Sequence, residues 1–228
     1  AQESRGLGDG YKRQTRINVK IKAGQETELN GAGPDIPESA MQALEEKLDR
    51  LQKGDILILA GSIPASLAQT TYERILARLE GRDIRAVVDA TRDLLVNVLR
   101  YKPFLIKPNN HELSEIAGVK LTNDNEIVTA ARMMQAKGAR NVLVSMAGDG
   151  ALLLDEQGGV HRIGCPKGKV VNSVGAGDSM VAGFVAGYQQ SGGDYAAALK
   201  LGTACGSATA FSLGLATKAD IDKLLKTM

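Results

Sequence analysis

Polar and apolar positions alternate without a break over residues 15–22: Ile17, Val19 and Ile21 fall on one face, Arg16, Asn18, Lys20 and Lys22 on the other. That period of two predicts a half-buried strand. Residues 23–26 can turn it back into Thr27, Glu28 and Leu29, so residues 15–30 predict a small β-hairpin that behaves as a flap. After Pro34 and Pro37, helical periodicity over residues 39–51 leads into residues 55–60, an apolar run ending at Gly61. Runs of that kind are typically buried on both faces of a parallel sheet.

The pattern then repeats. A helix is predicted from Ser66, a strand over 86–88, a helix from Arg92, a strand over 104–106, helices to Gly138 and a strand over 141–144. Such alternation means an α/β domain whose parallel strands are joined by crossover helices. Ser66 with Gln69, and Asn123 with Glu126, have capping-box spacing. Residues 151–154 and 160–163 flank a polar, glycine-containing turn and read as a hairpin, residues 169–171 read as a short strand, and helices should dominate from Asp178 onward. The helix that includes residues 180–187 carries small residues at spacing four, which would let its backbone pack closely on a sheet.

The chain has 228 residues, 43% hydrophobic and 24% charged, enough for one large core. A formal charge of +2, with no basic block or aromatic-interleaved basic stripe, argues against nucleic acid as a partner. Cys165 and Cys205 lack C-x-x-C spacing and only His111 and His161 supply imidazole, so a structural zinc site is not expected. No apolar run approaches the roughly 18 residues of a membrane span, and residues 1–14 are polar and mixed in charge. These features predict a cytoplasmic protein with no membrane partner.

The densest chemistry lies at residues 172–180, Asn-Ser-Val-Gly-Ala-Gly-Asp-Ser-Met. Gly175, Ala176 and Gly177 have almost no side chain, so their amides can approach an oxyanion, and the following helix adds positive partial charge. Asp178 beside that cradle is poorly suited to bind phosphate but well suited to accept a proton from an attacking alcohol. A competing reading makes Asp178 a plain helix N-cap after a tight turn. A dinucleotide-type fingerprint would need glycine where Met180 stands, and no Walker-type phosphate loop occurs. Polar and glycine residues also follow the predicted strands at Gly61-Ser62, at Lys107-Pro108-Asn109 and over residues 145–150. Those are the strand ends where open α/β sheets bind ligands.

Taken in order, Gly61-Ser62-Ile63-Pro64, Lys107-Pro108-Asn109-Asn110-His111-Glu112, residues 145–150 and residues 172–180 resemble the ribokinase-like (PfkB) carbohydrate kinases. Residues 15–21 and 166–180 resemble the branch acting on fructose 1-phosphate, with tagatose-6-phosphate kinases as near neighbours. The resemblance covers residue 15 to the C-terminus and implies a three-layer αβα sandwich with a mainly parallel sheet and a small β flap or lid, in a single domain over residues 1–228. It implies Asp178 as general base and Gly175, Ala176 and Gly177 as the anion hole. Ser145, Met146, Ala147, Gly148, Asp149 and Gly150 match the nucleotide loop, Lys107 and Asn109 match phosphate contacts, and Asn109 with Glu112 match the element that organises Mg²⁺. By spacing alone, a helix cap is the favoured reading of that last pair, and the two roles can coexist. Ser62, Arg16 and Asn18 match substrate-side positions, Arg16 reaching the sugar phosphate from the flap. The early Asp and Gly-Gly substrate loop of the family are not recognisable, so the chain reads as a kinase without the usual N-terminal segment.

The expected function is ATP-dependent phosphoryl transfer with Mg²⁺ to a sugar phosphate, fructose 1-phosphate first, with tagatose 6-phosphate and fructose 6-phosphate as alternative acceptors. The family analogy extends to a K⁺ site near Asn172 and Val174 and to a homodimer through the flap. A non-catalytic module binding nucleotide or sugar phosphate on the same scaffold is the alternative from another class.

Overall fold

The computed structural model describes residues 18–23, 25–31 and 33–228. Strands β1 (Asn18–Ala23) and β2 (Gln25–Asn30) pair antiparallel, with Val19 opposite Leu29 and Ile21 opposite Thr27, and form a two-stranded sheet of their own. The expected hairpin is present, but its apolar face is not covered by the core. Val19, Ile21 and Leu29 are 45%, 44% and 58% exposed, because the hairpin is not a part of the main sheet. Arg16 and Ile17 lie outside the described residues.

The main sheet has six strands in sequence order: β3 (Ile56–Ala60), β4 (Arg85–Asp89), β5 (Leu105–Ile106), β6 (Asn141–Ser145), β7 (Ala151–Leu154) and β8 (Val160–Ile163). β3 to β6 run parallel, while β7 and β8 form the antiparallel hairpin expected from their turn. α1 (Glu38–Leu48) precedes β3, and the parallel strands are linked by α2 (Thr71–Arg78), α3 (Arg92–Val98), and α4 (Asn110–Ala117) with α5 (Asp124–Ala136). α6 (Ala176–Gln190), α7 (Tyr195–Ala210) and α8 (Lys218–Leu225) follow the sheet.

Alternation within the strands separates two cores. Val88, Ile106, Val142, Val144, Leu152 and Leu154 face α2 to α5, whereas Val87, Leu105, Leu143 and Leu153 face Met180, Val181 and Phe184 of α6 and Ala198 and Leu199 of α7. A sheet buried on both faces between two helical layers results, which is why these strands read as continuous apolar runs.

Four expectations need correction. β3 is not buried on both faces: it forms the sheet edge among the described residues, and Ile58 is 44% exposed because the α6 and α7 layer packs over the central strands. Residues 66–70 form turns rather than a helix, and α2 starts only at Thr71, so the Ser66 and Gln69 spacing caps nothing. Residues 169–171 are not a strand, and Val170 and Val171 are 63% and 43% exposed. The small residues of α6 meet α7 rather than the sheet. A methyl group at Gly183 would lie 2.6 Å from Cys205 Sγ and 2.9 Å from the Leu201 carbonyl oxygen.

That approach makes a stability prediction. Alanine has the higher helix propensity, but at Gly183 its methyl meets the Leu201 carbonyl of a packed neighbour, and overpacking costs about 1–3 kcal/mol. Gly183→Ala should therefore lower the urea midpoint with an unchanged slope; an equal or higher midpoint would show that α6 and α7 have room to spare.

Candidate active site

The parallel strands deliver their last residues to one edge of the sheet. β4 ends at Asp89, and the chain leaving β5 continues its ladder through Lys107, whose amide donates to the Val88 carbonyl at 3.2 Å. Both side chains are largely enclosed, Lys107 at 8% and Asp89 at 19% exposure, and Lys107 Nζ lies 3.2 Å from Asp89 Oδ1. The first turn of α6 comes down on this pair. A methyl group at Gly177 would sit 3.3 Å from Lys107 Nζ and 4.0 Å from Asp89 Oδ2, so a residue without a side chain lets the backbone reach the ammonium group.

Gly175 caps α6 in a left-handed conformation, φ 79°, followed by Ala176, Gly177 and Asp178. Asp178 is thus the third helical residue and exposed to solvent, not the N-cap of the competing reading. The amides of Gly177 and Asp178 have no hydrogen-bond acceptor among the described residues. They are orphan donors of a helix start whose Gly177 lies beside Lys107.

Asp89 was absent from the sequence-derived site. Burial, the largest influence, pushes its carboxyl above the ordinary 3.8; the Lys107 ammonium pulls it back by charge and hydrogen bond, and the Asp178 and Glu112 carboxylates add to the rise. Its charge also reaches Tyr72, whose phenol is pushed up by burial first and by Asp89 second. Tyr72 in turn donates to the Ala60 carbonyl at 2.8 Å, and the Gly61 amide donates to the Asp89 carbonyl at 3.0 Å. Gly61 and exposed Ser62 at the end of β3 therefore adjoin Asp89. The available signal was an acid closing the apolar run 86–88 at the edge where ligands bind.

The remaining sequence-derived residues sit on two neighbouring turns. Asn109 caps α4: its Oδ1 accepts from the His111 and Glu112 amides at 2.9 and 2.8 Å, and Glu112 Oε2 accepts from the Asn109 amide at 2.8 Å. Both halves of the capping box are made, with Glu112 Oε1 outside it. Asn109 also bridges to Ser145 at the end of β6. From there Met146 is buried, Ala147 adopts φ 47°, Ala147, Gly148 and Asp149 form a single 3₁₀ turn, and Gly150 returns at φ 90°. A side chain at Gly150 would overlap the Ile163 carbonyl, so the loop closes only with glycine there. Asn172 Oδ1 accepts from the Val174 amide at 3.2 Å, just ahead of Gly175. Asn18 contributes the backbone of β1, and Arg16 lies outside the described residues.

The Lys107–Asp89 pair has a directional test. Lys107→Met leaves burial in place and removes the opposing cation, so the Asp89 carboxyl should titrate higher still in carboxyl-carbon NMR. Because the folded value already lies above the unfolded one, the Asp89 contribution to stability is present below 3.8 and lost as pH rises through the raised value. An unchanged or lower Asp89 value in the variant would mean that the two groups do not interact.

Comparison with known proteins supplies the context for this edge. The description pfkB family carbohydrate kinase matches residues 9–222, reaching further upstream than residue 15, where the sequence resemblance begins. The chain is 48% identical over 214 residues to a 1-phosphofructokinase of Bacillus subtilis, covering 94% of this chain and 70% of that protein. It is 36% identical to a D-tagatose-1-phosphate kinase of Bacillus licheniformis, with 93% and 69% covered. Phosphofructokinase-2 of Escherichia coli, solved in complex with substrates and products, superposes with a TM-score of 0.83 at 25% identity over 92% of this chain and 70% of that one. Match length, identity and superposition agree, and the chain belongs to the pfkB family of carbohydrate kinases.

Proposed function

We propose that this protein transfers the terminal phosphoryl group of ATP to a hydroxyl of fructose 1-phosphate, giving fructose 1,6-bisphosphate. The observation carrying the reading is the meeting of unpaired Gly177 and Asp178 amides, the Lys107 ammonium and the exposed Asp178 carboxylate at one sheet edge. Likeness to a relative named 1-phosphofructokinase supports the choice of acceptor.

In this reading Asp178 takes the proton of the acceptor hydroxyl, while the amides of the Gly175, Ala176 and Gly177 turn hold the oxygens of the migrating group. Lys107 neutralises phosphate charge beside them, and Asp89 keeps that ammonium in place. The loop of Ser145, Met146, Ala147, Gly148, Asp149 and Gly150 runs its backbone along the nucleotide. Catalysis of this type is mostly positioning and charge stabilisation.

The residues fit a magnesium nucleotide better than a metal bound by protein alone. Among the described residues no group of three or more His, Cys, Asp or Glu side chains is gathered for a metal ion. Asn109 and Glu112 would hold Mg²⁺ with water and phosphate oxygens completing its shell, as that ion prefers. When bound, Mg²⁺ supplies charge neutralisation across the phosphates. We assign K⁺ to the turn at Asn172 and Val174. The hairpin over residues 15–30 acts as the lid, with Arg16 and Asn18 reaching the substrate beside Ser62, and the apolar face of Val19, Ile21 and Leu29 serves as the contact between two copies. Phosphorylation of a tagatose phosphate is the second reading, favoured by likeness to a relative named D-tagatose-1-phosphate kinase.

Asp178→Asn in the native gene product should lower kcat by at least about 10² while leaving ATP affinity nearly unchanged. Turnover close to that of the parent would remove Asp178 from the proton-accepting role. In parallel, steady-state assays with fructose 1-phosphate, tagatose phosphates, fructose 6-phosphate and ribose should give the highest kcat/KM for fructose 1-phosphate. A preference for a tagatose phosphate would select the second reading, and saturable ATP binding without transfer to any acceptor would reduce the protein to a binding module.

A further inference from the structure

The opposite edge of the sheet, where β3 to β6 begin, holds a cavity of about 570 Å³. It is lined by five cationic side chains, Lys53, Arg85, Arg100, Lys102 and Arg140, against the two carboxylates of Glu80 and Asp83. With Glu156 counted against Arg140, five cations face three carboxylates, so this one hollow holds a positive excess of two, equal to the net +2 of the whole chain. Neighbouring acids do not cancel it. Asp83 is taken by Lys53 at 2.9 Å and Arg140 is held by Glu156, while Arg85, Arg100 and Lys102 have no acidic partner among the described residues.

Aromatic rings hold the guanidinium groups instead. Arg85 and Arg140 lie 5.9 and 5.4 Å from the centroid of the same Phe104 ring, and Arg100 lies 5.1 Å from that of Tyr101. Such contacts restrain the side chains without neutralising them. The backbone adds a second sign of constraint. Lys102 closes the turn Leu99–Tyr101 in a left-handed conformation, φ 52°, a position glycine or asparagine fills at lower cost. The lysine at this position puts a cation with no acidic partner among the described residues on the cavity wall, and backbone strain of this kind gathers at ligand sites.

Arg85 and Asp89 are the first and last residues of β4, roughly 13 Å apart at the usual strand rise, so a small anion here is not the phosphoryl donor at the other edge. We propose that this cavity is a second anion site, which binds a small molecule carrying two or three phosphate groups. Paired guanidinium forks match phosphate oxygens in geometry and charge, and the volume suits a bisphosphorylated sugar, a nucleotide or a condensed phosphate. Binding here is independent of whether the other edge performs phosphoryl transfer.

The test is calorimetric titration of the full chain with inorganic tripolyphosphate in the presence of Mg²⁺, which supplies the counter-charge the Lys107 edge needs, compared with the double variant Arg100→Ser/Lys102→Ser and with Lys107→Met. Two binding events are expected in the parent. The double variant should lose one, by about tenfold or more in Kd, and keep the other, and Lys107→Met should do the reverse. Arg100 and Lys102 are exposed, and matched thermal unfolding of the ligand-free proteins checks that the fold is intact. Fructose 1,6-bisphosphate and ATP, titrated in the same way, identify the source: the ligand whose affinity falls most in the double variant is the one the cavity selects. If none of the three titrations changes in the double variant, the cavity is not an anion site.

Discussion

Two helices packed closer than side chains allow determine where the chemistry can occur. Gly183 and Gly187 of α6 lie against Cys205, Leu201 and Ala198 of α7, and a methyl group on Gly202 or Gly206 would come within 2.9 Å of the Met180 carbonyl or 3.0 Å of the Ala176 carbonyl. The Ala176 contact is the informative one, since Ala176 is the first residue of α6. α7 therefore sets the height of the helix start directly, while Met180, Val181 and Phe184 pin the same helix to the sheet. With both constraints in place, Gly177 lies against Lys107 and Asp89 at the strand ends. Close packing of this density transmits small changes in volume, so a methylene added at the α6 and α7 contact would be felt at the site.

Much of this was legible in the residues, and what was not has identifiable causes. The parallel run β3 to β6, the β7 and β8 hairpin and the caps at Asn109 and Asn123 follow from periodicity and local chemistry, which act over a few residues. Asp178 beside the Gly-Ala-Gly turn was likewise visible, although its place inside α6 depends on Gly175 taking up φ 79°. β3 has the composition of a central strand, and only the sheet order makes it an edge. Residues 169–171 have strand-like composition but no neighbouring strand to pair with, and the Val171 amide goes to the Ala210 carbonyl instead. Asp89 has no signature in the sequence, being one acid at the end of an apolar run. Its meaning comes from Lys107, eighteen residues on, and from α6, both brought to it only by folding.

The charge at this edge then argues for what the site must bind. Asp89, Glu112 and Asp178 lie near enough that the last two push the Asp89 carboxyl upward, and Lys107 is the cation paired with Asp89. At an effective dielectric constant near 20, two unit charges about 5 Å apart interact by about 3 kcal/mol, so three carboxylates would strongly oppose the arrival of a polyphosphate. One ammonium and a few backbone donors do not reverse that balance. Under the proposed function a polyanion would bring its own counter-charge, and a divalent cation that Glu112 would help hold meets the requirement without a dedicated cage of protein ligands. Under the proposed function, the carboxylates that look misplaced in an anion site would couple nucleotide binding to the metal. The same field would discourage bare phosphate, which lacks that cation, from the position beside Asp178 that the proposed function gives to the acceptor hydroxyl.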